Sequence, residues 1–261
     1  MEVIIRPTAE EASRLSARII SDAILQNPRL VLGLATGRTM EALYDSLAGL
    51  IREGGVDVSR LTTFNLDEYI GLPPEHPQSY RFYMEHHLFK KIGVKRENTH
   101  LPIGNAPDPD VESARYEALI QSAGGIDLQL LGLGTVGHIG FNEPLSSLAS
   151  RTRAKALSPE TRRQNGGFFG GEDKVPPRAI TVGVGTILES RRCLMLVTGQ
   201  AKADILAQAV EGPITSLITA SALQLHPRCT VIVDESAASK LRHQEYYRWI
   251  FANEPEWQRY Q

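Results

Sequence analysis

Short runs of β-branched and leucine-rich residues alternate with helical periodicities from one end of the chain to the other. Strands are expected at residues 3–5, 30–34, 61–66, 126–133, 179–182, 193–197 and 229–233. Between them, Thr8 and Glu11 form a capping box for a helix whose Ala12, Leu15, Ile19 and Ala23 share one face. Further helical patterns cover 40–51, 79–92 and 111–122, a stretch after Ala201, and a C-terminal segment carrying Tyr246, Tyr247 and Trp249. Such alternation predicts βα repeats in one domain spanning 1–261. The expected fold class is three-layer, Rossmann-like α/β, a mostly parallel sheet with helices on both faces. No internal repeat is present. One stretch breaks the pattern: QNGGFFGGEDKVPP, residues 164–177, sets four glycines around two phenylalanines. Its composition suits either a lid, placed within about 153–180, or a plain surface loop.

Composition narrows the partners. The chain has 261 residues, and its formal net charge of -2 gives no bulk attraction to nucleic acid or to an anionic membrane. An anionic ligand must therefore be held by local chemistry. Cys193 and Cys229 each open an apolar run, where a reduced thiol serves as a small buried hydrophobe rather than as a disulfide or metal ligand. The first residues lack the pattern of a secretory leader, and no run approaches the ~18 apolar residues that span a bilayer. The cytoplasm is the expected compartment.

In an open parallel sheet, ligands bind beyond the carboxyl ends of the strands, so the turns there carry the candidate chemistry. After 30–34 come Thr36, Gly37, Arg38 and Thr39, whose amides and hydroxyls can converge on an anion at a helix start. After 61–66 come Asp67 and Glu68. Neighbours on an extended chain point in opposite directions, so one is expected to face the cleft and the other to make a structural contact. After 126–133, Gly134 and Gly137 allow a tight exit that displays His138, with Asn142, Glu143 and Pro144 closing the loop. A histidine beside a carboxylate can exchange protons near neutral pH.

With the segments LATG (34–37), NLDEYIGL (65–72), SYRFYM (79–84), GHIGFNEP (137–144), SLASRTR (147–153), TVGVGTIL (181–188) and LQLHP (223–227), nearly the whole chain resembles the glucosamine-6-phosphate deaminase (isomerase) family. That family is related in fold to the 6-phosphogluconolactonases. The resemblance implies conversion of glucosamine 6-phosphate and water to fructose 6-phosphate and ammonia in amino-sugar breakdown. Asp67 matches the base that moves a proton between C1 and C2 of the open sugar, His138 the group that assists ring opening, and Glu143 its support. Thr36, Gly37, Thr39 and Lys202 match the phosphate site. Ser146, Arg153 and Lys155 match an allosteric site found in hexameric members, while other members are monomers. No metal or organic cofactor is implied; the partner is a small sugar phosphate, and a homo-oligomer and a monomer both stay open.

The chain departs from the family pattern at four positions. Arg38 replaces a second glycine and Met40 a proline, Gly167 stands where a lid arginine is usual, and Val136 stands where many members have an aspartate that organises the histidine. Arg38 is expected either to substitute for the lid arginine at the phosphate or to point to solvent. Val136 cannot hydrogen-bond through its side chain, which leaves His138 to Glu143, a backbone carbonyl or water. The alternatives are a deaminase or isomerase of another hexose(amine) phosphate, such as galactosamine 6-phosphate, and a sugar-phosphate sensor without turnover.

Overall fold

The computed structural model describes all residues, 1–261. Ten strands run in chain order: β1 (Glu2–Arg6), β2 (Val31–Leu34), β3 (Thr62–Asn65), β4 (Asp67–Tyr69), β5 (Thr99–His100), β6 (Leu128–Gly132), β7 (Arg153–Ala156), β8 (Arg178–Thr181), β9 (Cys193–Val197) and β10 (Cys229–Asp234). Seven of them form one sheet in the order β1-β10-β9-β6-β2-β3-β5, and every pairing in it is parallel. β2, β9 and β10 are buried at every position, the mark of strands covered on both faces. The covering helices include α1 (Ala9–Gln26), α2 (Arg38–Glu53), α3 (Tyr80–Met84), α4 (Pro109–Ser122), α5 (Pro159–Phe169), α6 (Ala203–Glu211) and α7 (Gln244–Asn253). Thr8 caps α1, accepting the Glu11 amide at 3.1 Å, but the capping box does not close, because the Glu11 carboxylate accepts from Arg6 at 2.9 Å instead. One continuous core of 60 buried residues runs between the layers.

The strand order reverses at β2. From there the chain moves outward through β3 and β5 on one side, while β6, β9 and β10 fill the other. Beyond the carboxyl ends of β2 and β6 the connections leave in opposite directions and open a crevice, so a site belongs there.

Three expectations fail in instructive ways. The segment after 61–66 is not a turn, and residues 179–182 do not extend the main sheet. The chain bends at Leu66, whose amide still donates to Leu34 O at 3.1 Å, and its next three residues become β4. β4, β8 and β7 form a separate antiparallel sheet, with Asp67 opposite Thr181. A small second core of Tyr69, Phe141, Leu157, Val175 and Ala179 holds it in place. The glycine-rich 164–177 stretch is not a loop at its start but completes α5. Ser158 caps that helix, Pro159 occupies its first turn and Gly170 ends it in the left-handed conformation (φ 72°). Helical glycine costs about 1 kcal/mol relative to alanine. Gly166 has a packing reason for that cost, because a Cβ there would sit 3.0 Å from the Glu172 amide nitrogen.

Alternation along β4 separates its two acids. Glu68 turns away from the crevice and accepts the amides of Tyr69, Tyr80 and Arg81 at 2.9, 2.9 and 3.0 Å, which fastens the start of α3 to the small sheet. α3 continues through a π-helical turn at Glu85–Phe89. Replacing Glu68 by alanine would strand three amide donors, at about 1–3 kcal/mol for a buried unsatisfied group. Urea unfolding of Glu68→Ala should therefore show a loss of about 2 kcal/mol or more; a loss below about 0.5 kcal/mol would mean the clamp is not structural.

Candidate active site

A cavity of about 370 Å³ opens at the reversal point, lined by residues from the ends of β2, β3, β6 and β9 and by α5. The β2 end supplies Thr36, Gly37, Arg38 and Thr39. Gly37 (φ 119°) precedes α2 and offers no side-chain cap, so the first amides of this 16-residue helix lie at the cavity wall with the positive end of the helix dipole. Anions bind such termini directly. Lys202, on the same wall, donates from Nζ to Leu133 O at 2.8 Å, and burial lowers its pKa from the ordinary value. Two of its three ammonium hydrogens remain for a ligand.

Arg38 neither points simply into solvent nor pairs with an acid. Its guanidinium carbon lies 4.8 Å from the centre of the Phe168 ring on α5, at cation–π distance. No hydrogen bond or salt bridge engages its donors. Gly167 is exposed on the same helix with open space where a side chain would be.

Asp67 is 6% exposed and lines the cavity. Burial, and next the nearby charge of Glu68, push its carboxyl up to about 8, against a smaller opposing effect of the Phe141 amide. Burial also raises Glu68, to about 7, despite its three amide donors. The glycine at 140 (φ 56°) keeps the approach to Asp67 clear, since a Cβ there would stand 3.3 Å from Oδ2.

His138 reaches the cavity through a turn built on glycine. Gly134 accepts no side chain: its Cβ would fall 2.0 Å from His138 Cδ2, so the imidazole lies directly against the backbone. The turn closes with Gly134 N donating to His138 O at 2.9 Å and Gly137 N to Gly134 O at 3.0 Å. Nδ1 is buried without a hydrogen bond, and Glu143 Oε2 stands 3.5 Å from it. Val136, half-buried in this turn, adds no polar group. Glu143 is not on the cavity wall but behind the ring. Burial alone would raise its carboxyl, yet the His138 ring, the Ser158 amide and the Thr161 hydroxyl outweigh that and bring it down to about 2.

Asp67, His138, Thr36, Gly37, Arg38, Thr39 and Lys202 thus share one cavity, with Glu143 adjoining it. Ser146, Arg153 and Lys155 lie outside it. The Ser146 amide donates to Glu143 O at 3.0 Å and the Arg153 guanidinium to Asn142 Oδ1 at 2.9 Å, so two of these three abut the back of the histidine loop. Lys155 sits on β7 opposite Ala179.

Several wall residues went unassigned from sequence. Thr161, Gln164, Asn165 and Phe168 line the cavity from α5, and Tyr80 lines it from α3. The four α5 positions follow the i, i+3, i+4, i+7 spacing of one helix face, a signal masked by the glycines among them. Gln164 also bonds the histidine turn, accepting the Thr135 hydroxyl at 2.8 Å. No group of three or more His, Cys, Asp or Glu side chains is arranged to hold a metal ion.

A parallel sheet with an uncapped helix start, a buried acid and a histidine at one crevice is the architecture of an α/β enzyme with a site suited to an anionic ligand. The family profile described as glucosamine-6-phosphate isomerases/6-phosphogluconolactonase matches residues 6–231, and the chain belongs to this family. It is 53% identical over 250 residues to the glucosamine-6-phosphate deaminase of Hahella chejuensis, covering 96% of this chain and 95% of that one. With the deaminase of Streptomyces coelicolor it is 47% identical over 259 residues, 99% of each. The solved structure of a monomeric glucosamine-6-phosphate deaminase superposes with a TM-score of 0.90 at 45% identity, covering 92% of this chain and all of that chain. The 6-phosphogluconolactonase of Trypanosoma cruzi, at 20% identity and a TM-score of 0.73 over 92% of this chain and 97% of its own, shares the fold.

Two outcomes follow from the geometry. Gly134→Ala should displace the His138 ring and abolish turnover while leaving the melting temperature within a few degrees; full activity would show that the ring has room to move. For Asp67 the folded-state pKa of about 8 lies above the ordinary carboxylate value, so its contribution to stability is present below about pH 4 and is lost as pH rises through about 8. Asp67→Asn removes that loss. Melting temperatures should show the variant gaining on the native chain between pH 5 and pH 9, and a constant difference across that range would contradict the buried, protonated carboxyl.

Proposed function

We propose that the chain catalyses the deamination and isomerisation of D-glucosamine 6-phosphate, with water, to D-fructose 6-phosphate and ammonia. The observation that carries this reading is the presence on one cavity wall of a buried carboxyl with raised pKa, an imidazole and an uncapped helix start with a lysine beside it. A sugar phosphate supplies a partner for each.

The phosphate dianion takes the amides at the start of α2, the Thr36 and Thr39 hydroxyls and Lys202, with the unpaired donors of Arg38 completing the shell. His138 transfers a proton at the ring oxygen as the hemiacetal opens, and Glu143, ionised at neutral pH, stands behind the ring on its Nδ1 side. Once C1 is an aldehyde, the C2 proton is acidic. Asp67 removes it and returns it to C1, which turns the amino-aldehyde into a C2 imine. Water adds at C2, the carbon that carries the nitrogen, ammonia departs, and a C2 ketone remains. Ring opening, proton transfer and hydrolysis balance without an oxidant or a cofactor. The base acts only when ionised, so kcat/KM rises with pH through about 8.

A structure of a related deaminase is of a monomeric enzyme. No helix is long and apolar enough to cross a membrane. A cytoplasmic role in hydrolytic amino-sugar breakdown, including that of N-acetylglucosamine, fits this chemistry.

Ammonia release measured side by side with glucosamine and galactosamine 6-phosphates tests the reading. Release is expected with the glucosamine compound. Preference for the galactosamine epimer would change the substrate, and tight binding without ammonia from either would make the protein a sensor. Arg38→Ala should raise KM about tenfold, equivalent to about 1.4 kcal/mol of binding, with kcat little changed; an unchanged KM would remove Arg38 from the phosphate shell.

A further inference from the structure

His138 has a buried Nδ1 whose nearest acid is Glu143, and at 3.5 Å the pair falls short of a hydrogen bond. No carboxylate in the turn from Gly134 to Phe141 can take its place. The orientation of the imidazole therefore depends on where the Glu143 carboxylate is held. That carboxylate is held at the start of α5: the Ser158 amide donates to Oε1 at 3.0 Å, the Ser158 hydroxyl stands 3.1 Å from both Oε2 and Thr161 Oγ1, and the Thr161 hydroxyl adds to the set. Oε2 is the oxygen that faces the histidine.

Ser158 has a second duty. Its hydroxyl oxygen accepts the Thr161 amide at 3.2 Å and caps α5, the helix that lays Thr161, Gln164, Asn165 and Phe168 along the cavity. One hydroxyl hydrogen and its lone pairs thus join the start of the cavity-covering helix to the acid behind the imidazole.

We propose that Ser158 is a positioning residue that sets Glu143, and through it His138, and that it couples their alignment to the placement of α5. Movement of α5 toward a bound ligand carries the carboxylate with it. A displacement of a few tenths of an ångström brings the 3.5 Å separation to hydrogen-bond range. The orienting function is thereby supplied from the lid helix rather than from the catalytic turn itself. The other charged groups on the cavity wall with His138 are Asp67, Arg38 and Lys202, and none of them lies behind the ring with Glu143.

The kinetic part of the test rests on the deaminase reading, whereas the spectroscopic part does not. Ser158→Ala removes both the hydroxyl donor and the cap. Ser158→Gly removes the donor but keeps an acceptable cap residue, and Ser158→Thr keeps both. Ring-nitrogen NMR of the full-length protein with saturating inorganic phosphate should show His138 held as the Nδ1–H form facing Glu143 in the native chain and in Ser158→Thr. In the alanine and glycine variants that signature should give way to exchanging tautomers. Kinetically, kcat should fall about tenfold in the same two variants, with KM changed less than about twofold, and recover in Ser158→Thr. A role limited to capping predicts a lower melting temperature and higher KM for alanine, near-native glycine and an unaltered ring. An unaltered ring in both the alanine and glycine variants would overturn the proposal. A changed ring in a native protein that releases no ammonia would overturn the deaminase reading and leave the positioning role standing.

Discussion

The site depends on a two-residue alternation where the main sheet hands the chain to the small one. Because β4 is extended, Asp67 and Glu68 must face opposite ways, and because both are buried, each needs its own reason to be there. Glu68 finds three backbone amides and fixes α3. Asp67 is left facing the cavity with a single opposing amide, and burial next to another acid holds its proton up to about 8. A carboxyl that keeps its proton up to about pH 8 is thus a by-product of how the small sheet is attached.

Glycine carries the rest of the geometry by leaving space. His138 lies against Gly134, Asp67 faces a clear approach at Gly140, and α2 presents bare amides after Gly37. Polar groups are then added from outside the turns: Lys202 from the end of β9, Arg38 stacked on Phe168, and Ser158 on Glu143. α5 contributes to both ends of this arrangement, meeting Arg38 at its C-terminal half and the histidine support at its cap.

Much of this was legible in the chain, for physical reasons. Buried strands such as 193–197 and 229–233 announce themselves as continuous apolar runs, and the Thr8 cap and the division of labour between Asp67 and Glu68 follow from local stereochemistry. The small sheet was hidden because β4 and β7 are short, polar and stabilised by partners distant in sequence, and residues 179–182 read the same in either sheet. α5 was hidden because glycine propensity argued against a helix that Ser158, Pro159 and Gly170 nonetheless delimit. The stacking of Arg38 on Phe168 joins two helices far apart in the chain, and no local pattern encodes it.

The central claim is that Asp67 moves the C2 proton of an opened amino-sugar phosphate to C1. Turnover of glucosamine 6-phosphate in deuterated water, followed by NMR of substrate and product, tests it most directly. In the native chain one face of C1 of fructose 6-phosphate should carry the hydrogen delivered by Asp67, the substrate's own from C2 or deuterium exchanged on the carboxyl, and Asp67→Asn should show neither product nor exchange at C2. Exchange of the C2 hydrogen at the native rate in Asp67→Asn would contradict the account.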